Sequence, residues 1–148
     1  MSLEDLEVHK LAKQFSNEIW EIVLLFNYFE KDTIGKQMCR SADSISANIA
    51  EGYGRFYYQE IIRFCYIARG SLEETLSHLV LCCELKYIPK AVFDSLEQDG
   101  EKLTQLINGY IGYLKRSKQG QNEPGANQAI REDLAPYDIN PTEDSTIE

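Results

Sequence analysis

The chain has 148 residues, 43% of them hydrophobic and 26% charged, and a formal net charge of −9. That length suits one domain with a substantial core, and the composition is that of a soluble globular protein. No stretch reaches the roughly 18 uncharged apolar residues of a membrane span, and the opening MSLEDLEVHK has no basic region followed by an apolar run, so neither anchor nor export signal is expected. The charge is unevenly spread: residues 1–120 carry 14 basic against 17 acidic residues, and residues 121–148 carry one Arg against 7 acids. Neither part has the basic excess of a protein that binds nucleic acid mainly by neutralising phosphates.

The first helix is expected over Leu6–Phe29, where Val8, Phe15, Ile22 and Phe29 recur every seven residues with Ala12, Ile19 and Phe26 between them. Trp20 and Val23 lie off this seam and give the helix a second, partly buried face. Asp32 or Thr33 suits the N-cap of a second helix, about Ile34 to Gly52, which ends in a GYG turn. A third helix, about Tyr58–Lys86, places Ile61, Cys65, Ala68, Leu72, Leu76, Leu79 and Cys83 on one face. Gly70 and Ser71 sit in its middle, where a close neighbour would explain an internal glycine. Pro89 suits the first turn of a fourth helix, in which Phe93, Gly100, Ile107 and Leu114 interleave with Leu96, Leu103 and Tyr110 until Lys115 and Arg116.

After Lys118 the periodicity stops, and the remaining segment holds three of the four prolines. The expected organisation is therefore an all-α, antiparallel up-down-up-down four-helix bundle over residues 1–118, followed by a disordered acidic tail over 119–148. Within that tail, Ile130, Leu134, Tyr137 and Ile139 could dock as a short motif or engage a protein partner. Cys39, Cys65, Cys82 and Cys83 show no CxxC spacing and all fall in helical segments, as expected of reduced thiols in a cytoplasmic protein.

The stretch RSADSISANIAEGYGR, residues 40–55, is unusual for a surface helix. Ala42, Ile45, Ile49 and Gly52 form its buried face, yet the other sides carry Ser41, Ser44, Ser46, Ala47, Asn48, Ala50 and Glu51, with little bulk and little charge. With the LEVHKLA opening, Gln37, Arg40, Arg55, Phe64, Ala68, Gly70, Ser71 and Glu74, this stretch resembles the bacterial four-helix-bundle family found in intervening sequences of 23S ribosomal RNA genes, over about residues 3–117. The accessory variability proteins of diversity-generating retroelements look similar. The resemblance implies an antiparallel bundle that assembles into a ring, expected to be a homopentamer, with no established catalysis. It also carries an association with RNA or ribosomes.

Two readings of the small-residue set follow. Ser44, Ala47, Asn48, Ala50, Glu51, Gly52, Gly70, Ser71 and Glu74 form either an interface between copies of the chain or a polar network within one copy. If Glu51 is buried it needs a partner, for which Arg55 is nearest in sequence and Arg40 or Arg69 are more distant candidates. The alternative function is RNA binding through a rim of Arg40, Arg55 and Arg63, since Arg55, Arg63 and Arg69 alternate with Tyr53, Phe56, Tyr57, Tyr58 and Tyr66.

Catalytic constellations are weak. Glu74, His78 and Cys82 share a helical face, and His9 could add a donor, but no second ligand pair completes a metal set. Glu51 with Glu74 lacks the Glu-x-x-His motif of di-iron bundles, and AEGYGR lacks the strand and spacing of a phosphate loop. The expectation is a non-enzymatic scaffold or adaptor without cofactor or metal, acting through self-association, with no membrane partner.

Overall fold

The computed structural model describes residues 2–120, with side chains described as far as Ser117. The expected tail, including Ile130, Leu134, Tyr137 and Ile139, lies outside the described residues. Helix α1 is Glu7–Leu24, preceded by a single 3-10 turn at Leu3–Asp5. Helix α2 covers residues 28–53 in three continuous pieces: an α-turn Tyr28–Glu30, a π-turn Lys31–Gly35 and an α-helix Lys36–Tyr53. Helix α3 is Tyr58–Glu84 and α4 is Lys90–Gly120. Helix α2 packs against α1 and α3, and α4 packs against α3 and α1. Short connections between long neighbours make this an antiparallel up-down-up-down bundle.

The core is assembled from residues spaced three and four apart, so each helix turns one stripe inward. Val8, Ala12, Phe15 and Ile19 of α1 meet Met38, Ala42, Ile45 and Ile49 of α2. Ile61, Cys65, Ala68, Leu72 and Leu79 of α3 and Leu96, Leu103, Ile107, Tyr110 and Leu114 of α4 complete the cluster.

The first helix ends earlier than the seven-residue pattern suggests. Asn27, not Asp32 or Thr33, caps α2: its Oδ1 accepts from the Glu30 N–H at 2.9 Å, and its own N–H donates to Glu30 Oε1 at 3.1 Å. This reciprocal capping box satisfies two donors that a bare helix start leaves orphaned. Phe29 thus belongs to the first turn of α2 and is 66% exposed, outside the α1 seam.

The other ends differ in smaller ways. The α2 C-cap Gly54 has φ −74°, so no left-handed glycine closes that helix. Pro89 precedes α4, where its carbonyl accepts from the Phe93 N–H at 3.0 Å, and α4 continues past Arg116 to Gly120. Helix α3 closes with a Schellman motif: Tyr87 N–H donates to Cys82 O at 2.8 Å and Lys86 N–H to Cys83 O at 3.1 Å. The left-handed position is filled by Lys86, at φ 62°.

Gly52 is the closest approach of the α2 and α3 backbones. A Cβ there would sit 2.8 Å from Phe64 Cβ and 3.2 Å from the Ile61 carbonyl oxygen, neither of which can swing away. Gly70 is the reverse: a Cβ would meet nothing within 4 Å, so no neighbour in this chain explains it.

Two expected outcomes follow for urea or thermal unfolding. Gly52→Ala should cost about 1–3 kcal/mol through overpacking. Lys86→Gly should gain about 0.5–1 kcal/mol by relieving the left-handed backbone.

Candidate functional site

The small residues of α2 are occupied first by α3. Ser41 Oγ lies 2.7 Å from Thr75 Oγ1 in the buried part of the seam, Thr75 Oγ1 donates to Ser71 O at 2.9 Å, and Ser41 Oγ donates to Met38 O at 3.2 Å. One turn outward, Ser71 Oγ donates to Ser44 Oγ at 2.9 Å. Asn48 Nδ2 donates to both Ser44 O and Ser44 Oγ, at 2.7 and 2.9 Å. Arg40 closes the outer edge with a 3.1 Å ion pair to Glu74.

The nine-residue set therefore divides. Ser44, Asn48, Ser71 and Glu74 hydrogen-bond within the chain, and Gly52 is buried against α3. Ala47, Glu51 and Gly70 are exposed, with Ala50 half-buried beside them. Glu51 does not need rescue from burial: it pairs with Arg55 at 2.6 Å on the surface, while Arg40 and Arg69 bond elsewhere. Along α3, Arg63, Ile67, Gly70, Glu74, Ser77 and Leu81 form an outward stripe in which Ile67 is 42% and Leu81 43% exposed.

The Arg rim is also redrawn. Arg40, on α2, and Arg55, in the turn that follows it, are fifteen residues apart, about 22 Å at helical rise, and Arg40 is paired to Glu74 rather than standing beside Arg55. Arg55 and Arg63 do share the end of the bundle where α2 turns into α3. There the Arg55 guanidinium lies 5.0 Å from the Phe64 ring centroid, and Phe56 and Tyr57 pack edge to face at 5.1 Å while remaining 50% and 55% exposed. Tyr66, one turn on, has Arg69 at 4.9 Å and Lys115 of α4 at 5.8 Å from its ring, and Arg69 donates to Asn108 Oδ1 at 2.9 Å. Contacts of these lengths are within cation–π range.

The thiols are held as thiols. Burial pushes Cys65 up to about 12 and Cys82 up to about 11, with the charge of Glu30 adding to the latter; burial and then Asp43 raise Cys39. Cys82 Sγ lies 3.4 Å from Met38 Sδ, against the core. Among the described residues, no three His, Cys, Asp or Glu side chains are grouped so as to hold a metal, and no helix is long and apolar enough to cross a membrane. Burial also lowers His9, with Lys13 contributing.

Comparison with known proteins agrees with the bundle. A family model described as the 23S rRNA-intervening sequence protein matches residues 4–109. The chain belongs to this family. A crystal structure of a protein of unknown function from the S23 ribosomal protein family, from Bacteroides thetaiotaomicron, is 25% identical. The match covers 70% of this chain and 97% of that one, with a TM-score of 0.64. No match is found among curated proteins. The family region contains the whole α2–α3 seam, whereas Lys115, Arg116 and the acidic tail fall beyond it.

Two polar contacts escaped the sequence reading. Asp43 Oδ1, on α2, accepts from buried Ser16 Oγ at 2.6 Å and from Trp20 Nε1 at 2.9 Å, tying α1 to α2. The off-seam position of Trp20 was the available signal. Between α1 and α4, the Glu18 carboxyl hydrogen-bonds Asp99. Its pKa is pushed up to about 7 by burial, then by that hydrogen bond and the Asp99 charge, with Glu21 adding and a Gln14 hydrogen bond opposing.

An unfolded chain releases the Glu18 proton near the ordinary carboxylate value of 4.5, whereas the folded chain holds it to about 7. The folded state is favoured by proton binding in that window, so stability falls as pH rises through it. Melting measured from about pH 5 to about pH 8 should decline, and Glu18→Gln should flatten the slope and raise stability at the alkaline end.

Proposed function

We propose that this chain is a non-enzymatic, cytoplasmic, self-assembling bundle that serves as a scaffold or adaptor, and that its working form is a homo-oligomeric ring. The observation that supports this is the outer side of α2 and α3. Ile67 and Leu81 lie exposed along one α3 stripe, on either side of Gly70, whose missing Cβ leaves open space, and α2 contributes exposed Ala47. Small and apolar residues on a continuous helical stripe suit close packing by another helix pair. The polar side chains of the seam already have partners inside the chain, so little of this surface demands water. The family resemblance makes five the expected number of copies.

A second reading, binding to RNA, is favoured by Arg55 and Arg63 beside exposed Phe56 and Tyr57. Bases can stack on such rings while arginines meet phosphates. The family description also names ribosomal RNA. Under this reading, binding to structured RNA weakens steeply with salt and is lost in Arg63→Ala.

Light scattering coupled to size-exclusion chromatography separates the two. The full chain, freed of RNA by nuclease, should elute at a fixed multiple of one chain. Ile67→Glu, at a site exposed within the chain, should reduce it to one chain with unchanged helicity. Ala50→Leu should weaken assembly as well, since a close helix contact does not absorb the added volume. A wild-type chain of single mass, or an Ile67→Glu oligomer like the parent, overturns the ring.

A further inference from the structure

The end of the bundle where α4 finishes gathers cations from two helices. Arg55, Arg63 and Arg69 stand in the α2–α3 turn and the first half of α3, and Lys115 and Arg116 stand near the end of α4; the acids of this end are Glu51, paired to Arg55, Glu60, and Glu4, Asp5 and Glu7 at the start of α1, on the far side from Arg63. Lys115 reaches the ring of Tyr66, so the last turns of α4 lie against the first turns of α3. Beside them Phe56 and Tyr57 expose half of their surfaces. The cations on α4 are explained by the dipole of their own helix, whose carbonyl end they occupy. Arg63 is not: it stands in the second turn of α3, nearer that helix's positive end, and projects from the exposed stripe.

From this same end, 28 more residues continue beyond Gly120, with seven acids and one arginine. Glu132, Asp133 and Asp138 are interspersed with Ile130, Leu134, Tyr137 and Ile139. This alternation of carboxylates and apolar side chains matches arginines set beside exposed rings in both charge and hydrophobicity. The geometry is favourable too. Lys115 lies five residues, about 7.5 Å of helix, before Gly120, and 17 residues from there to Tyr137 are enough chain to span about 22 Å at coil dimensions. A tether of that length gives an effective concentration in the millimolar range, so a contact too weak to form between separate molecules is populated within one.

We propose that residues 130–139 dock on the Arg55, Phe56, Tyr57 and Arg63 surface of their own bundle, as an internal acidic ligand. Their carboxylates pair with the arginines, and Leu134, Tyr137 and Ile139 cover the exposed rings. A polyanion approaching this end then has to displace the tail, which makes the segment a built-in competitor. Arg63 stands at the end of the stripe assigned to the ring, whereas Arg55, Phe56 and Tyr57 lie in the turn beyond it, so docking within one chain and assembly share Arg63 alone.

The test uses the full chain with Tyr137 replaced by the photoreactive residue p-benzoylphenylalanine. Irradiation should join position 137 to residues 55–69 of the same chain. The yield should fall at least about threefold when ionic strength is raised about tenfold. It should fall similarly in Glu132→Gln/Asp133→Asn/Asp138→Asn, which leaves the bundle untouched, and in Arg63→Glu, at an exposed site. The apolar corner of Leu24, Leu25, Tyr28 and Phe29 lies at the other end of α4, about 46 Å away along the helix. Adducts mapped to that corner, adducts to a second chain, no adduct, or a yield indifferent to salt and to the charge variants each overturn the proposal.

Discussion

The structure depends on how closely α2 and α3 can approach. Gly52 admits the backbone of α3 next to it, and Ser41, Ser44, Ser71 and Thr75 keep the approach close along the next turns. Helices that meet through side chains this small bury little hydrocarbon each, so the pair gains through many short dispersion contacts instead. The accompanying cost is four hydroxyls taken from water. It is met by bonding them to one another and to backbone carbonyls, which leaves Ser41 and Thr75 buried but satisfied. Each buried hydroxyl also has a backbone carbonyl to donate to, so removing one opens a gap in the ladder without leaving its partner unsatisfied. The hydrophobic core beside this seam is filled from all four helices, by Phe15 and Ile19, Met38, Ile45 and Ile49, Ile61, Leu72 and Leu79, and Leu103, Ile107 and Tyr110.

This division of labour has a consequence for the exterior. A helix pair held by an internal polar ladder does not need its outer faces for stability, and those faces are then available for recognition. On α3 the outer stripe mixes Ile67, Gly70 and Leu81 with Arg63 and Glu74. Glu74 is already drawn sideways to Arg40, which removes one charge from the stripe's centre. What remains is a shallow, weakly charged strip. Such a strip discriminates by shape more than by directional bonds.

Helix number, order and inward faces were legible in the amino-acid sequence because periods of three and four residues report burial directly. The errors arose where a local signal competed with that period. Phe29 continued the α1 heptad, yet the Asn27–Glu30 capping box stops the chain first; the N-x-x-E pattern was present but lay inside an apolar run. Gly52 and Gly70 looked alike as small residues in long helices, and only tertiary packing separates a glycine against a backbone from one facing open space. Lys86 gave no warning of a left-handed cap, since glycine is the usual marker. The small-residue set is divided by the packing of α2 on α3. Its split into an inner ladder and an outer stripe turns on a rotation of about one residue per turn, finer than a pattern of residue types resolves. Asp43 and the Glu18–Asp99 pair join helices distant in sequence, so no spacing rule could bring them together.

Net charge proved a poor guide because the charges are segregated. Helix α4 carries Asp94, Glu97, Asp99 and Glu101 in its first half and Lys115 and Arg116 near its end, an order that complements the helix dipole and needs no ligand to account for it. The same order places the unfavourable Glu18–Asp99 proximity near the acidic half. There the proton that Glu18 holds relieves the repulsion that two bare carboxylates would suffer. At the other end the dipole accounts for the α4 cations but not for Arg63, nor for two aromatic rings left half in water. A protein near neutrality over its bundle can therefore still offer one locally cationic, aromatic surface. What distinguishes that surface from ordinary helix-end electrostatics is the exposed aromatic area beside Arg63, which costs free energy in water and is recovered only when something covers it.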